Sequence, residues 1–233
     1  MPKNEEKMKE IVKLEDFYKF IEEYTKSKSK TDYIFRGVKS EKHQLIPSIG
    51  RIKTNEPEEY FTVTKEKEML KLFKQKTYSF VNREMNDWEY LALAQHHGLP
   101  TRLLDWSWNP LVALYFAVEE EWQEKSALYV WKKGMSGLLE QPIDKTPFCI
   151  DEVEVFIPKH CTNRITAQSG IFTIHPEPTR EFEDENMSKI IICKEVRKDI
   201  KNKLERLGIH RGTLFPDIDG VAQYIKWLRT NIH

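Results

Sequence analysis

Four polar side chains stand in apolar or turn-flanked surroundings where they could do chemistry: Arg36, His96, Asp105 and Gln168. Arg36 ends an aromatic and β-branched run before Gly37, and a guanidinium there can offer a planar fork of donors to phosphate or carboxylate. Asp105 follows two leucines, and a carboxylate in such a segment is rarely buried without a partner. These residue types supply an anion-binding cation, a hydrogen-bonding amide and groups that can accept a proton or stabilise positive charge.

Asp105 has two interpretations that the sequence leaves open. As a scaffold residue it would be buried and paired with Arg102 or Arg36 in a structural polar network. As a functional residue it would face an open pocket, where it could stabilise a cation or accept a proton. Arg36 leaves a similar choice between a structural ion pair and an anion-binding role.

The adjacent histidines His96 and His97 invite a metal-site interpretation, which their spacing disfavours. Neighbouring residues on a helix point about 100 degrees apart, so the two imidazoles cannot easily bind one ion. No HxxxH or HxxE spacing accompanies them. We therefore predict no metal site, and His96 becomes a candidate for a single functional imidazole near a helix end.

Other catalytic signatures are weak or missing from the sequence. It contains no G-x-S-x-G nucleophile motif and no Walker-type or Rossmann glycine pattern. Asp184 and Glu185 near Lys194 could form a nuclease-like metal site, although a solvated acidic loop explains them more simply. The three cysteines lack the paired short spacing of a zinc site or a disulfide framework.

The elements that would position these residues are clearest around Asp105. An apolar helical pattern from Trp88 closes at Gly98, because glycine favours the left-handed exit of a helix. A short strand-like segment over residues 103–106 follows, and Asn109 can then cap a second helix that is apolar almost all round. Because this second helix lacks a polar face, it should be central.

The remaining elements come from hydrophobic periodicity and turn residues. Strand-like segments cover residues 33–37, 126–133, 153–157 and 189–196, and helical patterns cover 14–24, 56–82, 198–207 and the end of the chain, with Val221, Ile225 and Leu228 as its apolar stripe. Helices dominate the first half and strands the second, which predicts an α+β fold: a single domain with a mixed or antiparallel sheet core and N-terminal helices. We divide the chain into an N-terminal tail and helix over residues 1–30 and one domain over residues 31–233.

Composition limits the environment and the partners of the protein. The 233 residues include 37 Lys and Arg balanced by 37 Asp and Glu, so no global charge attracts nucleic acid or acidic lipid. No apolar run approaches the ~20 residues needed to cross a bilayer, and the first residues lack the apolar core of a signal peptide. We expect a soluble, cytoplasmic protein with no membrane partner.

Two stretches of the sequence resemble the FRG domain, a bacterial family named for its Phe-Arg-Gly tripeptide. They are Phe35-Arg36-Gly37 and QHHGLPTRLLDWSWNPLVALYFAV, which runs from Gln95 to Val118. Further matches are LIPSIGR from Leu45, RITAQSGIFTIH from Arg164 and LFPDIDG from Leu214. One departure is His97, where an aromatic residue such as Tyr is expected.

A more distant similarity to ADP-ribosyltransferases rests on three segments in the same order. Phe35-Arg36-Gly37 resembles their first strand, LLDWSWNPLVALYFA their second strand and apolar helix, and Ala167-Gln168-Ser169-Gly170 their late turn. Residues 105–107 read Asp-Trp-Ser where a Ser-Thr-Ser run is typical, and Gln168 stands where Glu is commoner.

This resemblance implies an ADP-ribosyltransferase-like fold and an enzyme that uses NAD as its substrate. It assigns catalysis to Arg36, Asp105, Gln168 and His96, and NAD binding to Arg36, Gly37, Arg102, Ser107 and Tyr115. The acceptor would be a protein or a nucleic acid. The resemblance also implies a toxin or an antiphage defence effector. An antitoxin or a regulatory partner would be consistent with that role. Two alternatives stay open: an NAD glycohydrolase, whose acceptor is water, and a non-catalytic ligand-sensing or interaction module.

Overall fold

A computed structural model describes residues 9–26, 33–53, 64–120, 124–132, 138–139, 146–158 and 162–231 of the chain. Within them, the strands are β1 (Glu10–Ile11), β2 (Tyr33–Val38), β3 (Leu103–Ser107), β4 (Ser126–Lys132), β5 (Leu138–Leu139), β6 (Glu154–Phe156), β7 (Gly170–Ile174) and β8 (Met187–Ile192). The α-helices are α1 (Leu14–Thr25), α2 (Glu66–Thr77), α3 (Asp87–His96), α4 (Pro110–Val118), α5 (Asn163–Ala167), α6 (Lys194–Arg206), α7 (Arg211–Leu214) and α8 (Ile218–Asn231). None of these helices has the length and apolar character required to cross a bilayer.

All these strands belong to one sheet, in the order β1-β8-β4-β2-β3-β7-β6-β5. The sheet is antiparallel from β8 through β4, β2, β3 and β7 to β6, and its outer pairs β1–β8 and β5–β6 are parallel. The predicted α+β class with a mixed sheet is therefore confirmed. Helices and strands are less segregated along the chain than predicted, because β2 and β3 come from the first half of the chain and helices α5 to α8 from the second.

Helix α4 is central, as its apolar sequence predicted. Its buried residues are Val112, Ala113, Leu114, Tyr115, Ala117 and Val118. The helix lies directly on β2, since a Cβ atom added to Gly37 would stand only 1.8 Å from the carbonyl oxygen of Ala113. No side chain fits in that space, so the glycine of the Phe-Arg-Gly tripeptide is required for packing.

Three predicted elements differ from the structure by more than two residues. The strand predicted over residues 189–196 ends at Ile192. The helix predicted over residues 198–207 begins earlier, at Lys194, because the apolar residues after it follow a helical period. The helical pattern over residues 56–82 corresponds to α2, while residues 54–63 lie outside the described part of the chain.

The last helix does not bury the stripe predicted for it. Val221 and Ile225 are exposed by 44% and 53%, and Leu228 is half-buried. Helix α8 instead packs through Tyr224, whose hydroxyl donates to Glu205 at 2.9 Å and whose ring stacks on His210. Aromatic side chains that carry a polar atom thus decide which face of this helix turns inward.

Candidate functional site

A cleft of about 440 Å³ is lined by strands β2, β3 and β7 and by helices α3, α4 and α5. All four residues proposed for catalysis line it: Arg36, His96, Asp105 and Gln168. They come from separate elements, so the sheet order brings together residues that are far apart in sequence. Of the residues proposed for NAD binding, Gly37 and Ser107 line the same cleft, and Arg102 and Tyr115 do not.

Arg36 and Asp105 are neighbours on strands β2 and β3. Nη1 of Arg36 donates to the backbone oxygen of Asp105 at 2.5 Å and lies 3.6 Å from its Oδ2 atom. Burial lowers the pKa of the Arg36 guanidinium, and the Asp105 carboxylate opposes that shift. Nε of Arg36 is buried and has no acceptor among the described residues. The guanidinium is therefore held in place while part of its donor capacity stays unused.

Asp105 is not the buried carboxylate that its apolar neighbours suggested. Its side chain is 58% exposed, whereas the other residues of β3 are buried. This position opens into the cleft, so solvent reaches the carboxylate without a full desolvation cost. Its charged neighbour is Arg36, one of the two partners that the sequence left open.

Gln95, at the end of helix α3, is a site residue that sequence reasoning missed. Its Nε2 atom donates to Oδ2 of Asp105 at 3.0 Å, and its Oε1 atom accepts from the hydroxyl of Thr101 at 2.6 Å. The available signal was a polar residue inside the apolar stripe that begins at Trp88. Such a residue on a buried helix face usually has a hydrogen-bond partner.

His96 lies half-buried beside this network. Burial lowers its pKa to about 4, and interactions with Arg164 and His97 contribute in the same direction. Nη1 of Arg164 also donates to the backbone oxygen of His96 at 3.3 Å. The imidazole is therefore neutral at physiological pH and can take part in hydrogen bonds without adding charge to the cleft.

Cationic side chains dominate the cleft. Arg36, Arg51, Arg164 and Lys39 line it, and Asp105 is the one carboxylate among its described lining residues. Arg51 and Arg164 were not predicted, although each belongs to a motif that carries the FRG resemblance, LIPSIGR and RITAQSGIFTIH. This excess of fixed positive charge favours an anionic ligand.

Gln168 and Ser107 join the turn before β7 to the end of β3. The Ser107 hydroxyl donates to the backbone oxygen of Gln168 at 2.7 Å and accepts from the backbone N–H of Asn109 at 3.0 Å. The side chain of Gln168 donates to the backbone oxygen of Leu214 at 3.0 Å. Ser107 therefore holds the turn beside the cleft, and the Gln168 amide group is already engaged in the fold.

Arg102 and Tyr115 lie away from the cleft. Arg102 is buried, and its backbone N–H and Nε donate to Glu66 at 2.7 and 2.9 Å. Tyr115 lines a different cavity, of about 580 Å³, and its hydroxyl donates to Glu119 at 3.4 Å. Both residues have partners within the fold, so the structure does not bring them to the site proposed for NAD.

The described residues contain no candidate metal site. No group of three or more His, Cys, Asp or Glu side chains is arranged there to hold a metal ion. The charged and polar side chains that line the cleft include three arginines, one lysine, one carboxylate, two imidazoles and two amides. This set suits recognition of an anion through hydrogen bonds.

Comparison with known proteins identifies the first part of the chain. Residues 31–126 match the model of the FRG domain. This segment contains Arg36, His96 and Asp105, whereas Arg164 and Gln168 lie beyond it. Neither the curated proteins nor the solved structures contain a significant match to the chain. The FRG resemblance that the sequence motifs indicated is thus confirmed for residues 31–126 of the chain.

Proposed function

We propose that the cleft binds NAD and that the protein is an ADP-ribosyltransferase-like enzyme. The observation that carries this proposal is the convergence of Arg36, His96, Asp105 and Gln168, from four separate segments, on one cationic cleft. The toxin or antiphage setting comes from the family resemblance alone, and the acceptor would be a protein or a nucleic acid.

The charge of the cleft fits a dinucleotide. A diphosphate carries two negative charges, and Arg36, Arg51 and Arg164 all line the cleft. The guanidinium of Arg36 is suited to this role, because such a group can bind phosphate through more than one N–H group. The cleft volume of about 440 Å³ lies within the usual range for small-molecule sites.

Asp105 would act at the ribose. In ADP-ribosyl transfer the bond between ribose C1′ and nicotinamide breaks, and its electron pair leaves with nicotinamide. The positive charge that develops on the ribose is stabilised by a nearby carboxylate. The acceptor then forms a bond to C1′ and gives up a proton, which Asp105 can accept. His96, neutral at physiological pH, can orient the acceptor through a hydrogen bond.

A ligand-binding module without chemistry is the second candidate, and the geometry of Gln168 favours it. This residue stands where a Glu is commoner in the transferases, and its amide group donates to Leu214. An engaged neutral amide cannot take up a proton from an acceptor. If Asp105 does not replace that function, the cleft would bind NAD without cleaving it.

One experiment separates these functions. Purified protein is incubated with NAD while free nicotinamide is measured, and the incubation is repeated with cell extract and with RNA to detect transfer. Release with transfer supports the transferase, and release without transfer indicates a glycohydrolase. Binding by calorimetry without release indicates a ligand-sensing module, whereas absence of both binding and release would refute an NAD site.

A further inference from the structure

A chain of hydrogen bonds leads from the buried backbone to the carboxylate of Asp105. The backbone N–H of Leu103 donates to Oγ1 of Thr101 at 3.1 Å. The Thr101 hydroxyl donates to Oε1 of Gln95 at 2.6 Å, and Nε2 of Gln95 donates to Oδ2 of Asp105 at 3.0 Å. Thr101 is fully buried, so its hydroxyl does not exchange these partners for solvent.

The direction of this relay follows from which groups can donate. A backbone N–H can only donate, so Leu103 occupies a lone pair of Thr101 and leaves the hydroxyl proton for another acceptor. A carboxylate can only accept, so Gln95 must turn its NH₂ group toward Asp105 and its oxygen toward Thr101. Both ends of the relay thus require the same orientation of the Gln95 amide.

We propose that Gln95 is a positioning residue for Asp105, held in its orientation by Thr101. The relay engages Oδ2, the same oxygen that lies 3.6 Å from Nη1 of Arg36. Oδ1 receives no hydrogen bond from any described residue and is the oxygen available to a ligand in the cleft. The role of this oxygen rests on the proposed function: in the transferase, Oδ1 would be the atom that stabilises the ribose cation.

Kinetics of nicotinamide release test the relay in the enzyme. Gln95→Met removes both hydrogen bonds, and Thr101→Val removes the hydroxyl that orients Gln95, while Thr101→Ser keeps it. We expect kcat to fall by ~100-fold in Gln95→Met and Thr101→Val, since a misplaced catalytic group costs rate, with KM for NAD changed by less than about threefold. Thr101→Ser should restore kcat to near the wild-type value. Wild-type kcat in Gln95→Met would overturn the proposal.

A spectroscopic measurement without NAD separates failure of the relay from failure of the proposed function. The side-chain amide signals of Gln95 are identified in ¹⁵N-labelled protein as the pair lost in Gln95→Met. They should shift in Asp105→Asn and in Thr101→Val, and stay in place in Thr101→Ser and in the exposed control Asp199→Asn. Unmoved signals in Asp105→Asn would refute the relay. Shifted signals in a protein that releases no nicotinamide would support the relay and refute the enzyme.

Discussion

Two arginines, Arg36 on strand β2 and Arg102 directly before strand β3, have different roles. The Arg102 side chain is 2% exposed and pairs at 2.9 Å with Glu66, which is equally buried. Arg36 is 18% exposed and lies 3.6 Å from Asp105, whose carboxylate is 58% exposed. The buried pair satisfies both charges within the fold, whereas the open pair leaves donors and acceptors for a ligand. An arginine–carboxylate pair therefore stabilises the fold at Arg102 and Glu66, and forms part of the candidate site at Arg36 and Asp105.

The largest expected effect comes from breaking the buried pair. Glu66→Gln removes the charge that compensates Arg102, and leaving a buried charge unpaired should lower the free energy of unfolding by about 3 to 5 kcal/mol. Urea unfolding measures this loss. The matched control is Glu68→Gln on the same helix, where an exposed pair with Lys65 contributes little. A loss below about 1 kcal/mol in Glu66→Gln would contradict the scaffold role.

The open pair should show the reverse pattern. Asp105→Asn keeps the shape of an exposed side chain, so we expect stability to change by less than about 1 kcal/mol. Nicotinamide release should fall by ~100-fold, because the carboxylate that we propose to act at the ribose is lost. Denaturant midpoint and release are measured on one preparation, with Asp199→Asn as the control. A variant that unfolds easily but keeps wild-type turnover per folded molecule would show that Asp105 is scaffold.

Substitution of Arg36 tests the anion-binding side of the comparison. Arg36→Lys keeps the charge but loses the planar fork, so the affinity for NAD should fall by ~1 to 3 kcal/mol while the fold survives. Calorimetry measures the affinity, and Arg180→Lys, at a side chain that is 80% exposed outside the cleft, is the control. Unchanged affinity for NAD would show that Arg36 does not bind the ligand. An insoluble variant would indicate that Arg36 instead forms a structural ion pair.

The smallest expected effect compares two histidines at acid pH. Burial lowers the pKa of His175 to about 3 and that of His96 to about 4. Below the unfolded value of about 6.5, the unfolded chain binds protons that the folded protein does not, so stability falls as the pH falls. We expect His175→Gln and His96→Gln each to reduce the loss between pH 7 and pH 5 by on the order of 1 kcal/mol, because both folded pKa values lie below this range. Below about pH 4 the loss should continue for His175 and level off for His96. Equal acid sensitivity in His175→Gln and wild type would contradict this assignment.

Much of the scaffold follows from local sequence, because caps, turns and apolar periods act over a few residues. Gly98 has the left-handed backbone expected where α3 ends, with a φ of +83°. The side chain of Asn109 accepts from the backbone N–H of Leu111, as expected at the start of α4. The family, too, could be read from contiguous motifs.

The composition of the cleft depended on contacts between distant segments. Arg164 lines the same cleft as Arg36 and Arg51, although more than a hundred residues separate it from either of them in the chain. Sequence spacing shows neither this convergence nor the pairing of Arg102 with Glu66. Strand order and helix packing decide both, because they determine which side chains lie within reach of one another.

Strand β3 shows where the sequence determined the structure and where the tertiary structure decided. Alternation along a strand places Leu103, Asp105 and Ser107 on one face, which follows from the sequence alone. Whether that face is covered does not. Leu103 packs in the hydrophobic cluster of helix α3, and Ser107 lies under the turn of Gln168. The cleft lies between these two contacts. There the Gln95 side chain of helix α3 reaches Asp105 without covering it, so the carboxylate stays exposed.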